Sequence, residues 1–301
     1  MVRVDDAMTT QYCMRLCRFG NGRLGVVSAD AVRDVTAALD ALPGYRHPFP
    51  ECDVLIEHLD TLRPLISELA AAAPALPVSG ASLLSPVANP GKLIGAPVNY
   101  QRHLDEVRAS SELHHNRPIA VIQTAGLFLK ATSSLAGAGE GVALIKPDRR
   151  TDHEVELAVV MGKRARRVAS ADALDYVAGY CIGLDITIRG PEERSLRKSV
   201  DGYSVLGPWL VTADEIPDPG ALGLRLSVNG ELRQDSHTQD LIMGVPELVE
   251  YASSFYTLHP GDVIFTGTPE GVGPIQPGDT ITAWIDQIGT MEVAVRAAEG
   301  A

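Results

Sequence analysis

The 301 residues carry a formal net charge of −12, with 45% hydrophobic and 21% charged side chains. Such a composition is ordinary globular material with ample core for one large domain or two smaller ones, and it excludes a disordered chain. The acidic balance leaves no basic stripe to neutralise phosphates, which sets nucleic acid aside and disfavours an anionic membrane surface.

In chain order, MVRVDDAMTTQYCMRLCRFG places acids where the apolar part of a signal peptide belongs. No apolar run of about 18 residues follows, so a cytoplasmic chain without a membrane span is expected. YCMRLCRF and RLGVVS predict short strands, and CDVLIEHLDTLRPLISELAAAAPAL predicts a helix from its apolar spacing. PALPVSGASLLSPVANPGK is rich in Pro, Ser and Gly and reads as a linker. The boundary is therefore placed near residue 86, with a small N-terminal domain and linker over 1–86 and a larger domain over 87–301. That larger part is mainly strand: IGLDITI, GLRLSVNGELR, DVIFTGT, TITAWIDQIG and MEVAVR. VNGE is an Asn-Gly hairpin turn, and PGD opens a strand at Pro260 and again at Pro277. SADALDYVAGY, with Ser170 as cap, and VPELVEYASSFYTL predict helices. The fold class is α+β and β-rich. Cys13, Cys17, Cys52 and Cys181 lack a second pair at metal-binding spacing and read as reduced thiols.

Several chemistries have no motif here. There is no GxxxxGK, no GxSxG elbow and no HExxH, and GAGEGV does not fit the dinucleotide fingerprint. The informative stretch is TDHEVELAVVMGK. As a strand it puts Val155, Leu157, Val159 and Met161 on one face and Glu154, Glu156, Ala158 and Val160 on the other. Two carboxylates about 6–7 Å apart on a strand that is otherwise apolar on both faces need a compensating charge. Asp185, in the apolar GLDITI, adds a third. An oxygen-only cluster suits a hard divalent cation: Mg²⁺ first, with Mn²⁺ or Ca²⁺ as alternatives. The competing reading is a half-exposed strand whose acids are solvated.

In NYQRHLDE, His103 and Glu106 are three apart and share one face of a helical turn. A carboxylate that orients an imidazole makes a general base near neutral pH, although the same spacing also describes an ordinary exposed pair. His114 and His115 read as solvated. Lys198 is either a charged donor to substrate or a surface lysine. GDVIFTGTPEGVG, with Gly267 and Thr268, is a tight loop after an apolar strand, fit to bring backbone N–H groups to an anion or to make a plain turn.

Taken in this order, GAPVNYQRHLDE, LFLKATSS, DHEVELAVVMGK, ALDYVAGYCIGLDITIR, KSVDGYSVLGPWLVTADEI, VNGELRQ and LHPGDVIFTGTPEGVG resemble the fumarylacetoacetate hydrolase family over roughly residues 92 to 292. The resemblance implies a mixed, rolled β structure, a homodimer and, in many members, a smaller N-terminal domain. It makes Glu154, Glu156 and Asp185 the metal ligands, and His103 with Glu106 an acid–base dyad on a lid segment. By the same resemblance, Lys198 contacts substrate and assists the oxyanion. Tyr100, Lys130, Arg189, Gly267 and Thr268 take substrate-binding positions. Two departures stand out. Many relatives read like Arg-Asp-x-Gln after the aspartate strand, whereas here RGPEERS puts Glu192 at the glutamine position, with a shorter loop on to Lys198. An ionised acid cannot donate as an amide does. The lid is also longer, through SSELHHNRPIAVIQTAG.

The function implied is metal-dependent hydrolysis of a carbon–carbon bond in an acylpyruvate, a small 1,3-diketo acid. The runner-up keeps the site but omits the water: decarboxylation of an oxaloacetate-type β-keto acid, or isomerisation of a hydroxymuconate. A non-catalytic family member is the third reading.

Overall fold

The computed structural model describes residues 13–115 and 118–298, so the first twelve residues of the segment read for a signal peptide lie outside the described residues. The chain begins with an antiparallel meander of β1 (Arg15–Phe19), β2 (Arg23–Ser28) and β3 (Ala31–Asp34). The expected long helix is two pieces. A single turn at Val54–Glu57 is capped by the Asp53 carboxylate, and α1 (Leu59–Ala72) follows. Leu59, Leu62 and Ile66 recur at spacings of three and four and form its buried face.

Next come β4 (Leu93–Gly95), α2 (Gln101–Ala109), β5 (Phe128–Lys130), β6 (Thr151–His153), β7 (Val155–Met161) and β8 (Val177–Asp185). β9 (Thr187–Ile188), α3 (Arg194–Lys198) and β10 (Ser204–Thr212) lead to the hairpin of β11 (Gly223–Val228) and β12 (Glu231–His237). Asn229 (φ +52°) and Gly230 (φ +81°) form its turn, as the Asn-Gly pair predicts. The chain closes with α4 (Val245–Phe255), β13 (Val263–Phe265), β14 (Gly273–Pro274), β15 (Thr280–Ile285) and β16 (Gly289–Ala297). One expected helix is absent in that form. Ser170–Tyr176 is a 3₁₀ helix preceded by Ala169, with no side-chain cap from Ser170, and VAGY already belongs to β8. Pairing of Met161 with Val177 draws that stretch into the sheet, overriding its local helical preference.

The largest sheet runs β3-β2-β1-β10-β8-β7-β13-β4-β5, mostly antiparallel with a parallel β13–β4 pair. A five-stranded sheet built on β12-β11-β15-β16 and a small one of β9-β6-β14 complete a mixed, strand-rich α+β structure. β7 is buried along its whole length. Val155, Leu157, Val159 and Met161 enter the main core, while Ala158 and Val160 enter a second one. That second core joins Leu16, Leu24, Leu62 and Ile66 to Leu206 and Phe265, and β1 pairs directly with β10. The linker near residue 86 therefore does not separate two independent cores. Among the described residues no helix is long and apolar enough to cross a membrane, and Cys13, Cys17, Cys52 and Cys181 are free.

Candidate active site

The strand ends of β7 and β8 explain why acids sit on buried strands. Glu154 lies at the step between β6 and β7, Glu156 two residues on, and Asp185 at the last position of the neighbouring β8. The Asp185 N–H donates to the Glu154 carbonyl at 2.9 Å, which locks the two strand ends together. All three side chains are buried, and one carboxylate oxygen from each lies within 4.8 Å of the others.

Positive charge surrounds this triad. The Lys198 ammonium donates to Glu154 Oε2 (2.7 Å), Asp185 Oδ2 (2.6 Å) and Thr187 Oγ1 (2.6 Å). Arg189 Nη2 reaches Glu154 Oε1 at 2.7 Å, and its Nε reaches Asp152 Oδ2 at 2.8 Å. Lys130 donates to Asp185 Oδ1 (2.5 Å) and to the Tyr203 carbonyl (2.8 Å). The N–H of Gly267 donates to Glu156 Oε2 at 2.6 Å. Gly267 has φ +99°, and a Cβ there would stand 2.7 Å from that of Asn99, so this approach requires glycine.

The acids consequently differ. Burial pushes the Glu154 carboxyl upward, but Lys198 and Arg189 outweigh it and hold the group well below the usual range. For Glu156, burial and the adjacent Asp185 carboxylate push it well above that range. Three converging, desolvated carboxylates make an all-oxygen donor set that suits a hard divalent cation, so it fits the ion that the sequence implies.

Opposite the triad, α2 presents the dyad. His103 is buried, and its Nδ1 lies 2.8 Å from Glu106 Oε2. Glu106 Oε1 accepts from the Gly271 N–H at 3.0 Å, which ties α2 to the TGTPEGVG loop. A carboxylate can only accept, so the imidazole carries its proton on Nδ1 and keeps Nε2 as the basic nitrogen. His103, the three acids, Thr268, Phe128 and the inner face of α3 line one cavity of about 200 Å³. Of the lid segment, Ser111–His114 and Ile122–Ala125 are short helices; residues 116 and 117 lie outside the described residues.

Not every residue expected in the site reaches the cavity. Glu192 is turned away: its carboxylate pairs with both terminal nitrogens of Arg149 at 2.9 and 2.8 Å, which pulls it down to about 2. An ionised acid has joined the guanidinium within reach, and no substrate contact follows for it. Tyr100 lines a separate recess with Asp240 and Glu270. Lys130 and Gly267 stand behind the triad and support it. Lys198 lines the cavity and donates to Glu154, Asp185 and Thr187, which makes it a partner of the triad. Arg189 and Thr268 line the cavity as expected. The sequence reading missed Phe128, Arg194 and Arg197, which also line it, and Gln234, whose amide reaches Thr268 Oγ1 at 2.8 Å from a buried position on β12.

Comparison with known proteins places this site in a family. The family model for the fumarylacetoacetate (FAA) hydrolase C-terminal domain matches residues 92–296. A maleylpyruvate hydrolase from Aquipseudomonas alcaligenes is 61% identical over 285 residues, covering 94% of this chain and 99% of its own. The mitochondrial oxaloacetate tautomerase of Mus musculus is 38% identical over 215 residues, 67% of this chain and 90% of its own. Among solved structures, the maleylpyruvate hydrolase of Sphingobium sp. SYK-6 in complex with manganese(II) ion and pyruvate aligns with a TM-score of 0.81 at 40% identity, covering 95% of this chain and 100% of that one. The matched span holds the carboxylate triad, the His103–Glu106 pair and the Gly267 loop alike: the chain belongs to the fumarylacetoacetate hydrolase family.

Proposed function

We propose that this protein hydrolyses the bond between the distal carbonyl carbon and the methylene of an acylpyruvate, releasing pyruvate and a carboxylic acid. The observation that carries the reading is the placement of an oriented general base, His103, across one small cavity from three buried carboxylates. The relatives named maleylpyruvate hydrolase support it.

Glu154, Glu156 and Asp185 would hold the divalent cation. When bound, it supplies a Lewis acid beside the 2-oxo acid end of the substrate. His103 Nε2 takes a proton from water while Glu106 stabilises the resulting imidazolium. The water oxygen adds to the distal carbonyl carbon, and the bond to the adjoining carbon breaks. Its electron pair goes to the pyruvate fragment, which leaves as an enolate and recovers a proton from the imidazolium. Lys198 and Lys130 hold Asp185 and Glu154 in position, and Arg189 fixes Glu154 from the other side.

The reading takes Mg²⁺ as the resident ion with Mn²⁺ as an effective substitute, since both accept hard oxygen donors. It takes a cytoplasmic homodimer as the working form. The test is product analysis with purified protein, with and without Mg²⁺ or Mn²⁺, on maleylpyruvate, fumarylpyruvate, acetylpyruvate and oxaloacetate. Cation-dependent release of pyruvate together with the matching acid is expected. Release of carbon dioxide from oxaloacetate with every acylpyruvate left intact overturns it.

A further inference from the structure

α3 carries Arg194, Arg197 and Lys198 at spacings of three and four, so the three side chains share a face, and each lines the cavity. Their partners differ. Lys198 is fully engaged by Glu154, Asp185 and Thr187. Arg197 donates to the carbonyls of Glu192 (3.0 Å) and Ile188 (2.9 Å). The Arg194 guanidinium makes no hydrogen bond or ion pair among the described residues, and the carboxylates of Glu193, Glu154 and Asp185 act on it only at longer range. Its guanidinium carbon lies 5.4 Å from the centroid of the Phe128 ring, the ring that also faces the Lys198 ammonium at 5.7 Å. The adjacent Glu193 makes no ion pair with it among the described residues, its carboxylate accepting instead from the Ser195 N–H at 2.6 Å. A permanently charged group with five donors, partly withdrawn from water against an aromatic ring, is an incomplete binding arrangement.

The charge of the cavity points the same way. The triad and Glu193 are matched by Arg189, Lys198, Arg194 and Arg197, so the formal charges of the lining cancel. A divalent cation held by the triad would add two positive charges to that lining. An acylpyruvate with an apolar acyl group brings one negative charge, whereas one whose acyl arm ends in a second carboxylate brings two.

We propose that Arg194 is the specificity-determining residue of this site, binding a carboxylate at the far end of the acyl arm and selecting dicarboxylic acylpyruvates over those with an uncharged acyl group. This inference rests on the acylpyruvate reading and adds to it the residue that recognises the acyl end.

The test compares Arg194→Gln and Arg194→Lys with the wild type, all loaded with Mn²⁺, on maleylpyruvate and acetylpyruvate. In Arg194→Gln the ratio of kcat/KM for maleylpyruvate to that for acetylpyruvate falls roughly ten- to a hundred-fold, chiefly through KM, as expected for losing a charge-assisted bidentate contact. Arg194→Lys recovers part of it. Titration calorimetry with maleate at saturating pyruvate shows a parallel loss of affinity without any turnover. An unchanged ratio, or equal losses on both substrates with unchanged maleate affinity, overturns the assignment. Should Arg194→Gln fail to fold, the wild type decides: a preference of tenfold or more for maleylpyruvate over its distal monoamide supports the proposal, and equal kcat/KM overturns it. Failure of the acylpyruvate reading itself looks different, because then the wild type releases pyruvate from neither substrate.

Discussion

The side-chain amide of Gln234 dictates where the hydroxyl of Thr268 can donate. Gln234 Oε1 accepts from the Val155 N–H at 3.1 Å, and Nε2 donates to the Pro269 carbonyl at 2.9 Å. Those two backbone groups fix which end of the amide is which. The remaining Nε2 proton goes to Thr268 Oγ1, so that oxygen accepts from below and its own proton is left to the cavity it lines. Thr268 is thereby set as a donor toward the cavity.

Replacing Gln234 tests this polarity. Gln234→Leu strands the Val155 N–H and the Pro269 carbonyl in the interior, and should cost about 1–3 kcal/mol in denaturant unfolding. Gln234→Glu keeps the acceptor for Val155 but lets Thr268 donate to the new carboxylate. Its kcat/KM should fall about tenfold or more even under conditions where the variant is fully folded. Wild-type kcat/KM in folded Gln234→Glu would show that the hydroxyl's direction is irrelevant.

The dyad makes a second prediction. His103→Ala should lower kcat for acylpyruvate hydrolysis by about 10²–10⁴, the usual contribution of a positioned general base. Binding of Mn²⁺, followed by calorimetry, should persist, since His103 is not among the three acids that converge. Hydrolysis at wild-type rate in His103→Ala would remove the imidazole from the mechanism.

Glu154→Gln should abolish cation-dependent turnover. The substitution takes away one charge of the triad and one of the two ionic partners of Lys198 and of Arg189. Mn²⁺ affinity should drop by more than about a hundredfold, beyond what loss of an outer supporting group costs. Full activity in this variant would refute the ligand assignment.

A fourth prediction concerns the floor of the cavity. Gly95 on β4 packs so closely on the Phe128 ring that an added methyl would overlap it. Gly95→Ala should therefore destabilise the protein by about 1–3 kcal/mol through overpacking. It should also raise KM, because the displaced ring is the one that Arg194 and Lys198 share. Thermal unfolding and steady-state kinetics on one preparation would test both parts together.

The sequence made the acids legible and left their partners hidden, for a physical reason. A carboxylate in an apolar strand contradicts its surroundings, so Glu156 and Asp185 stand out one residue at a time. Glu192 gave no comparable sign that it would pair with Arg149, 43 residues earlier in the chain. Gln234 was hidden more thoroughly. It is the one buried position of β12, in ELRQDSH, where polar residues on either side read as an exposed edge. Arg194 gives no sign of itself in EERSLRK, because a five-residue helix has too little periodicity to show which side faces inward. The hairpin turn at Asn229 was readable because its chemistry is local, whereas the 3₁₀ helix at Ser170 depended on a strand pairing that local propensity does not encode.

The pairing of β1 with β10 also bears on how the protein is made. Met14 donates its N–H to Thr212 Oγ1, a partner 198 residues further along the chain. At ribosomal rates of about 5–20 residues per second, the first strands wait about 10–40 s for that partner to be synthesised. During that interval the β1–β2–β3 meander can close on itself and α1 can join the apolar face of Leu16 and Leu24, but the edge of β1 at Arg15 and Leu16 lacks its β10 partner. That strand edge is open to wrong pairing in the meantime, and chaperone capture or a slow production temperature should raise the yield of active protein.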